Sequence, residues 1–374
     1  MVKVEVDLMR YIHQLESWPN FHWDAAELLP YLSEFRFLQG QLKGTMQVIG
    51  LSQCEDAVLL TLTQDVIKSS EIEGEKLDKE QVRSSLARKL GMDRLGLVPS
   101  DRDVDGVVEM MLDATQNYKT PLTQERLFAW HAALFPAGYS GMTKITVGHW
   151  RSEEAGPMQV ISGRIGRVKV HFEAPPAERV PAEMECFLAW FNSEEAIDPV
   201  IKAVVAHIWF VTIHPFEDGN GRIARALTDL LLARSENSEQ RFYSFSSQIQ
   251  KNREKYYTVL EDIQKGDLAI TEGLIWFLSV LIEAVNSAAQ FTDDVLKKAR
   301  FWEHHKDKVI NERQRKILNL LMDGFEGKMT SSKWAKIAHC SQDTAARDIN
   351  DLIQAAILKK DEGGGRSTSY SLQF

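Results

Sequence analysis

Apolar residues recur at helical spacing along most of the 374-residue chain, and alternating, strand-like stretches are few, so the pattern predicts a mainly α protein. In "LSQCEDAVLLTLTQDVIKSSEIEGEKL", Leu51, Val58, Leu59, Leu62 and Val66 share one face of a helix over about 52–74. Gly74 suits the left-handed position that follows a helix end. A second helix starts at Asp78, with Gln81 three residues on as in a capping box, and ends at Gly91. Residues 200–213, "VIKAVVAHIWFVTI", are apolar nearly all round, which predicts a helix buried at the centre of a bundle. Ile223, Leu227, Leu230 and Leu231 give the next helix a buried stripe, and a long helical stretch follows Ile270. No internal repeat is present.

The main strand candidate is "MQVISGRIGRVKVHFEAPP". Val168, Val170 and Phe172 alternate with Lys169 and His171, Gly163 and Gly166 fall in the turn, and Pro175-Pro176 closes the unit. It predicts a β-hairpin projecting from a helical body. A last segment begins near Asn311. Trp334, Ile337 and Ala338, then Ala346, Ile349, Leu352 and Ile353, mark two packed helices with Cys340-Ser341 between them, and "ILKKDEGGGRSTSYSL" gives two short strands around a Gly-Gly-Gly tip. This order resembles a winged-helix domain, whose second helix would enter a DNA major groove. That helix carries Asp343, Asp348 and Asp351 against Arg347, although Lys359, Lys360 and Arg366 flank the wing. Phosphate contacts call for a more basic face, so DNA binding is not favoured and a docking or dimerising module is preferred. A homodimer stays open.

Length suggests two or three domains, divided as 1–110, 111–290 and 291–374. Net charge of -9 argues against a protein that coats nucleic acid or anionic membrane. Cys54, Cys186 and Cys340 show neither a paired nor a metal-binding spacing, which fits a reducing cytoplasm without disulfides or structural zinc. The N-terminal residues lack an apolar signal region, and the apolar run 204–213 is too short to span a bilayer. A cytoplasmic protein that does not enter membranes is expected.

The candidate chemistry lies in "HPFEDGNGR", His214 to Arg222, between the end of one helix and the start of the next. A helix N-terminus presents free N–H groups and a positive dipole end, and Gly219 and Gly221 leave room for a phosphate to approach. Arg222 and Arg225, three apart on that first turn, are unfavourable beside a positive dipole unless an anion offsets them. Asp218 is a candidate ligand for a hard divalent ion, and His214 a candidate base, with an ordinary pKa near ~6.5. Together they suit nucleotidyl or phosphoryl transfer to a hydroxyl.

The run "HPFEDGNGRIAR", His214 to Arg225, resembles without a break the Fic motif H-x-F-x-[DE]-G-N-[GK]-R-x-x-R of protein adenylyltransferases, and the resemblance extends over roughly residues 50–290. It implies a Fic helical bundle with a β-hairpin flap, and an enzyme that moves AMP from ATP to a Ser, Thr or Tyr hydroxyl of a protein, itself included, releasing pyrophosphate. On that resemblance His214 is the general base, Phe216 packs inward and Asp218 binds Mg²⁺. Gly219, Asn220 and Gly221 form the anion hole, Ile223 and Ala224 belong to the same ATP-binding stretch, and Arg222 and Arg225 hold the β and γ phosphates. Tyr256 would lie at the adenine side, with packing as the other reading of Tyr256 and Tyr257. The 158–172 hairpin would dock an extended segment of the protein substrate by strand addition. AMP removal and transfer of other phosphate-containing groups remain as alternatives within the family, and a DNA-binding regulator outside it.

Ser69 and Glu73 share a helix face just before Gly74, and a carboxylate at a helix C-terminus calls for a cationic partner. The stretch "SSEIEG" is similar to the inhibitory [ST]-x-x-x-E-[GN] helix that some Fic proteins carry ahead of the catalytic motif. The resemblance implies that Ser69, Glu73 and Gly74 form the inhibitory motif, and that Glu73 pairs with Arg225 and displaces the γ phosphate from its productive position.

Overall fold

The computed structural model describes residues 11–48, 51–92, 96–164, 167–322, 325, 327–361 and 368–373, which form two compact units, 1–288 and 289–374. The first unit runs through α1 (Ala25–Val48), α2 (Leu51–Ile72), α3 (Lys79–Lys89), α4 (Arg102–Gln116) and α5 (Gln124–Leu134). Two short strands, β1 (Tyr139–Ser140) and β2 (Thr143–Lys144), precede the hairpin β3 (Gln159–Arg164) and β4 (Arg167–Glu173). Then come α6 (Val180–Asn192), α7 (Pro199–Ile213), α8 (Asn220–Glu236), α9 (Phe245–Lys251), α10 (Arg253–Gln264) and the first part of α11 (Thr271–His304), whose residues from 289 on belong to the second unit.

Every residue from Val200 to Ile213 is buried, so α7 is the central helix that its all-round apolar pattern predicts. Asp198 caps it by accepting the Val200 N–H at 2.8 Å, with Pro199 in the first helical position, where a missing N–H costs nothing. Helix α8 packs along α7 and turns its buried stripe inward; α4, α5 and α2 close over α8. Helix α2, which the sequence assigns to a separate N-terminal region, packs on α3, α4, α8 and α9 within the same unit.

A buried ion cluster fixes α2 to this core. Arg241 hydrogen-bonds Asp229 of α8 and lies 3.4 Å from Asp65 of α2, and Asp65 also accepts the Ser244 hydroxyl at 2.5 Å. Only half of the expected capping box forms at α3. Asp78 accepts the Gln81 N–H at 2.9 Å, but the Gln81 side chain accepts the Asp101 N–H at 2.8 Å and so links α3 to the start of α4.

The hairpin is antiparallel from Gln159↔Glu173 to Arg164↔Arg167, with a bulge between Val160 and Ile161. Gly163 pairs with Val168 inside the ladder and not in the turn; Gly166 lies outside the described residues. At the hairpin base Phe172 is buried edge-on against Tyr11 at 5.1 Å, and His171 is hydrogen-bonded to Glu261 of α10 at 2.6 Å. The window Thr271–Gln290 of α11, 20 residues of mean hydropathy 1.3, is longer than the 204–213 run and has the length and composition to cross a membrane; half of it is buried inside the protein.

The second unit holds α12 (Glu312–Met322), β5 (Met329–Thr330), α13 (Ser331–Ile337), α14 (Gln342–Gln354), β6 (Leu358–Lys360) and β7 (Ser369–Leu372), with sheet order β5-β7-β6. Its core gathers Phe301, Ile317, Leu318, Trp334, Ile349 and Leu352. Ala345, not Ala346, faces this core, since it sits four and seven residues from Ile349 and Leu352. Asp348 also turns inward, where Arg313 pairs with it at 3.1 Å and the Asn311 amide donates to it at 3.0 Å, so it is not part of the exposed acidic face of α14. The Gly-rich tip lies outside the described residues.

Candidate active site

The site is built where α7 ends and α8 begins. His214 terminates α7 in a left-handed conformation, φ 52° and ψ 58°, an uncommon state for a residue with a Cβ that turns the chain sharply out of the helix. Its Nδ1–H donates to the Val211 carbonyl at 3.1 Å, which leaves Nε2 as the lone-pair nitrogen. Burial holds the imidazole below its usual pKa of 6.5, so the ring is neutral at pH 7.

Two side chains hold the loop that follows. Asn220 accepts the Phe216 N–H at 3.0 Å and donates to the Phe216 carbonyl at 2.8 Å, pairing both backbone groups of one residue while itself buried. Phe216 is fully buried and stacks on His131, ring centroids 4.2 Å apart. His131 accepts the Gly148 N–H through Nδ1 at 3.1 Å and donates from Nε2 to the Asp218 carbonyl at 3.2 Å; burial lowers its pKa to about 4, keeping it neutral. Gly219 takes φ +80° as the first cap of α8, and a side chain there would press on Phe135 at 2.9 Å.

The Asp218 carboxylate accepts the Gly219 N–H at 2.6 Å and the Ser140 hydroxyl. Each oxygen keeps a further lone pair, and the group is half-buried, which fits a hard cation that takes one protein carboxylate and fills its shell with phosphate and water. Among the described residues no cluster of three or more His, Cys, Asp or Glu forms an all-protein metal cage.

Arg222 and Arg225 are both enclosed on the first turns of α8. Arg225 donates to Glu73 Oε1 at 2.7 Å, to the Ser69 hydroxyl at 2.8 Å and to the Ser69 carbonyl at 2.8 Å. Arg222 lies over the Phe135 ring at 4.9 Å and donates to Glu75 at 2.5 Å. Arg222 Nε and Arg225 Nη1 are buried without a hydrogen-bond partner. Ile223 and Ala224 are fully buried, so only their backbone can face a ligand.

The end of α2 is shaped to deliver these carboxylates. Gly74, at φ +87°, donates to the Glu71 carbonyl at 3.0 Å and Glu75 N–H donates to the Ser70 carbonyl at 3.0 Å, the two bonds of a Schellman stop. Arg253 and Tyr257 of α10 bind the Ile72 carbonyl at 2.7 and 3.2 Å. A Cβ on Gly221 would fall 2.0 Å from Glu73 Oε1, so the carboxylate rests directly on the anion loop.

Tyr256 is packed into the core, as in the packing reading of this residue. It is 2% exposed, its hydroxyl is 2.9 Å from His207 Nε2, and its ring lies among Trp276, Phe277 and Tyr257; the partly open ring is that of Tyr257. Sequence reading also missed Arg151, whose Nε donates to the His214 carbonyl at 2.7 Å and whose backbone N–H donates to the Pro215 carbonyl at 2.9 Å. A lone arginine after a tryptophan carries no sequence signal for that role.

Residues 121–232 match the model of the Fic/DOC family, and residues 11–92 match that of a domain of unknown function, DUF4172. The chain is similar to a probable protein adenylyltransferase of Aquifex aeolicus, 34% identical over 103 residues that cover 28% of this chain and 30% of the relative. It is 28% identical over 223 residues to protein adenylyltransferase Fic of Culex quinquefasciatus, covering 59% of this chain and 40% of the relative. The chain thus spans well under half the length of either curated relative. A Fic family protein from Desulfovibrio desulfuricans has the same fold, with TM-score 0.53 at 20% identity, covering 93% of this chain and 96% of that one. The buried helix pair, the anion loop and the matched residues converge on one statement: this chain carries a Fic domain over residues 121–232.

Proposed function

We propose that the protein transfers AMP from ATP to a Ser, Thr or Tyr hydroxyl of a protein, and that Glu73 restrains it. The observation that carries this reading is the lone-pair Nε2 of His214, fixed by the Val211 carbonyl beside an anion loop whose two buried arginines each keep one nitrogen without a hydrogen-bond acceptor. His214 Nε2 takes the hydroxyl proton as the hydroxyl oxygen attacks the α phosphorus. The bond from that phosphorus to the α–β bridging oxygen breaks, and pyrophosphate leaves. Arg222, Arg225 and the N–H groups at the start of α8 neutralise the charge that gathers on the leaving phosphates.

Asp218 would hold Mg²⁺, which screens phosphate charge when bound. Asn220, Phe216 and His131 position the loop, and Arg151 positions the His214 backbone. Among the described residues the β3–β4 hairpin is a two-stranded sheet, so each strand has an edge available for strand addition by the target segment. Glu73 occupies Arg225 in competition with the terminal phosphate of ATP.

Incubation of wild type, Glu73→Gly and His214→Ala with labelled ATP and Mg²⁺, followed by intact mass, tests this directly. One added AMP in the Glu73 variant, little in wild type and none in any protein lacking His214 is the expected result. Equal labelling with and without His214 would remove the mechanism.

A further inference from the structure

The turn that ends α2 carries two carboxylates, not one, into the anion site. Glu73 and Glu75 flank Gly74, and the Schellman geometry aims them at two arginines one helical turn apart: Glu73 at Arg225, 2.7 Å, and Glu75 at Arg222, 2.5 Å. Arg222 is 2% exposed and Arg225 0% exposed, so each guanidinium depends on its carboxylate for charge balance in place of water. We propose that Glu75 is a second clamp on the anion site, so that the phosphates of a nucleoside triphosphate have to displace two carboxylates before both arginines can bind them.

This inference rests on the nucleotide-binding reading of the 214–225 loop and extends its regulation to a residue outside the inhibitory motif. Three further observations support it. The Nε of Arg222 is buried without an acceptor although Nη1 holds Glu75, so the guanidinium is incompletely satisfied by the carboxylate and offers a phosphate more donors than Glu75 uses. Glu75 is 45% exposed at its outer side, and a cavity of about 420 Å³ lined by Glu75, Asp103, Phe135, Ser140 and Arg222 lies beside it, which gives the carboxylate a place to swing. Burial and the charges of Asp218, Glu73 and Asp103 push the Glu75 carboxyl pKa up against the opposing pull of Arg222, so the contact is held under electrostatic load. Glu75 is also the more exposed of the two carboxylates, 45% against 28%, and the arginine of Glu73 is tied to Ser69 as well.

The test compares wild type, Glu73→Gly, Glu75→Ala and the double variant for ATP and inorganic pyrophosphate affinity by calorimetry with Mg²⁺, and for AMP labelling by intact mass. The double variant is expected to bind ATP and pyrophosphate roughly tenfold more tightly than Glu73→Gly, the effect of freeing one charged, enclosed hydrogen bond. Glu75→Gln is expected to fall between Glu75 and Ala, because it removes the charge and keeps the reach. Equal affinity of Glu73→Gly and the double variant overturns the clamp. Weaker binding by the double variant also overturns it and makes Glu75 a residue that orients Arg222 for the phosphates. Tighter binding without any AMP labelling leaves the clamp standing and removes the adenylyltransfer reading, whereas failure of the double variant to bind either probe removes both.

Discussion

Arg225 of α8 and Glu73 at the end of α2 meet at 2.7 Å across 152 residues of sequence, with the guanidinium fully enclosed and the carboxylate 28% exposed. The pair ties α2 to α8 and, on the proposed reading, holds the arginine that the terminal phosphate needs, so its loss is expected to move stability and activity in opposite directions. Glu73→Gly should cost about 1–3 kcal/mol, the range for stranding an enclosed charged donor. It should raise AMP labelling at least roughly tenfold. Thermal unfolding with and without ATP checks both, since ATP should recover more of the lost Tm in the variant than it adds to wild type. A variant as stable as wild type and no more active would sink the idea of a dual role.

The pH dependence of kcat/KM should report His214. Burial lowers its pKa from 6.5, and the base works only when neutral, so activity is present above the lowered pKa and lost as pH falls through it. In the Glu73→Gly background the acidic limb is expected to have its midpoint below 6.5. A midpoint above 7 would mean that another group is the base.

The Asp65–Arg241–Asp229 cluster puts two carboxylates against one guanidinium, all three side chains at most 2% exposed. Burial, with the neighbouring Asp229, raises the Asp65 carboxyl from 3.8 to about 7. The folded state therefore binds that proton more tightly than the unfolded chain, and this contribution to stability falls as pH rises from 3.8 to 7. Asp65→Asn should gain stability relative to wild type between pH 5 and pH 8, as read from Tm. Arg241→Met should lose about 3–5 kcal/mol at pH 8, because it strands the carboxylates. A pH-independent difference for Asp65→Asn would show that Asp65 is not the titrating member.

Metal dependence should reside in Asp218. Chelation with EDTA is expected to abolish AMP labelling of the Glu73→Gly protein without changing its circular dichroism, with recovery on adding Mg²⁺. Asp218→Asn should lower labelling by roughly 10²-fold or more and shift the Mg²⁺ needed for half-maximal rate upward. Labelling that persists in EDTA removes the metal from the reaction.

The central helices were legible in the sequence because burial on all sides leaves a dense apolar run at 200–213, and because the 214–225 loop packs its chemistry into contiguous residues. What was not legible depends on distant contacts. His131 and Arg151 read as isolated polar residues, and only the fold brings them under Phe216 and behind His214. The direction of Tyr256 was not legible for the same reason. Two adjacent tyrosines on a helix differ by about 100° in direction, and which of them faces the core is set by His207 and Phe277. Ala345 and Ala346 repeat that ambiguity in the second unit.

The anchoring of α2 constrains how its end can ever let go. Asp65 bolts the middle of the helix to α8 through Arg241, while the carboxylates that reach the anion loop sit beyond the last turn, at 73 and 75. The proposed restraint is therefore not a detachable plug: pulling the whole helix away would open the hydrophobic interior that α2 shares with α8. The last turn of the helix is tied separately, through the Ile72 carbonyl, to Arg253 and Tyr257 of α10. On the proposed reading, release of Glu73 and Glu75 therefore involves the grips of Arg253 and Tyr257 on the Ile72 carbonyl, and leaves the Asp65 anchor in place.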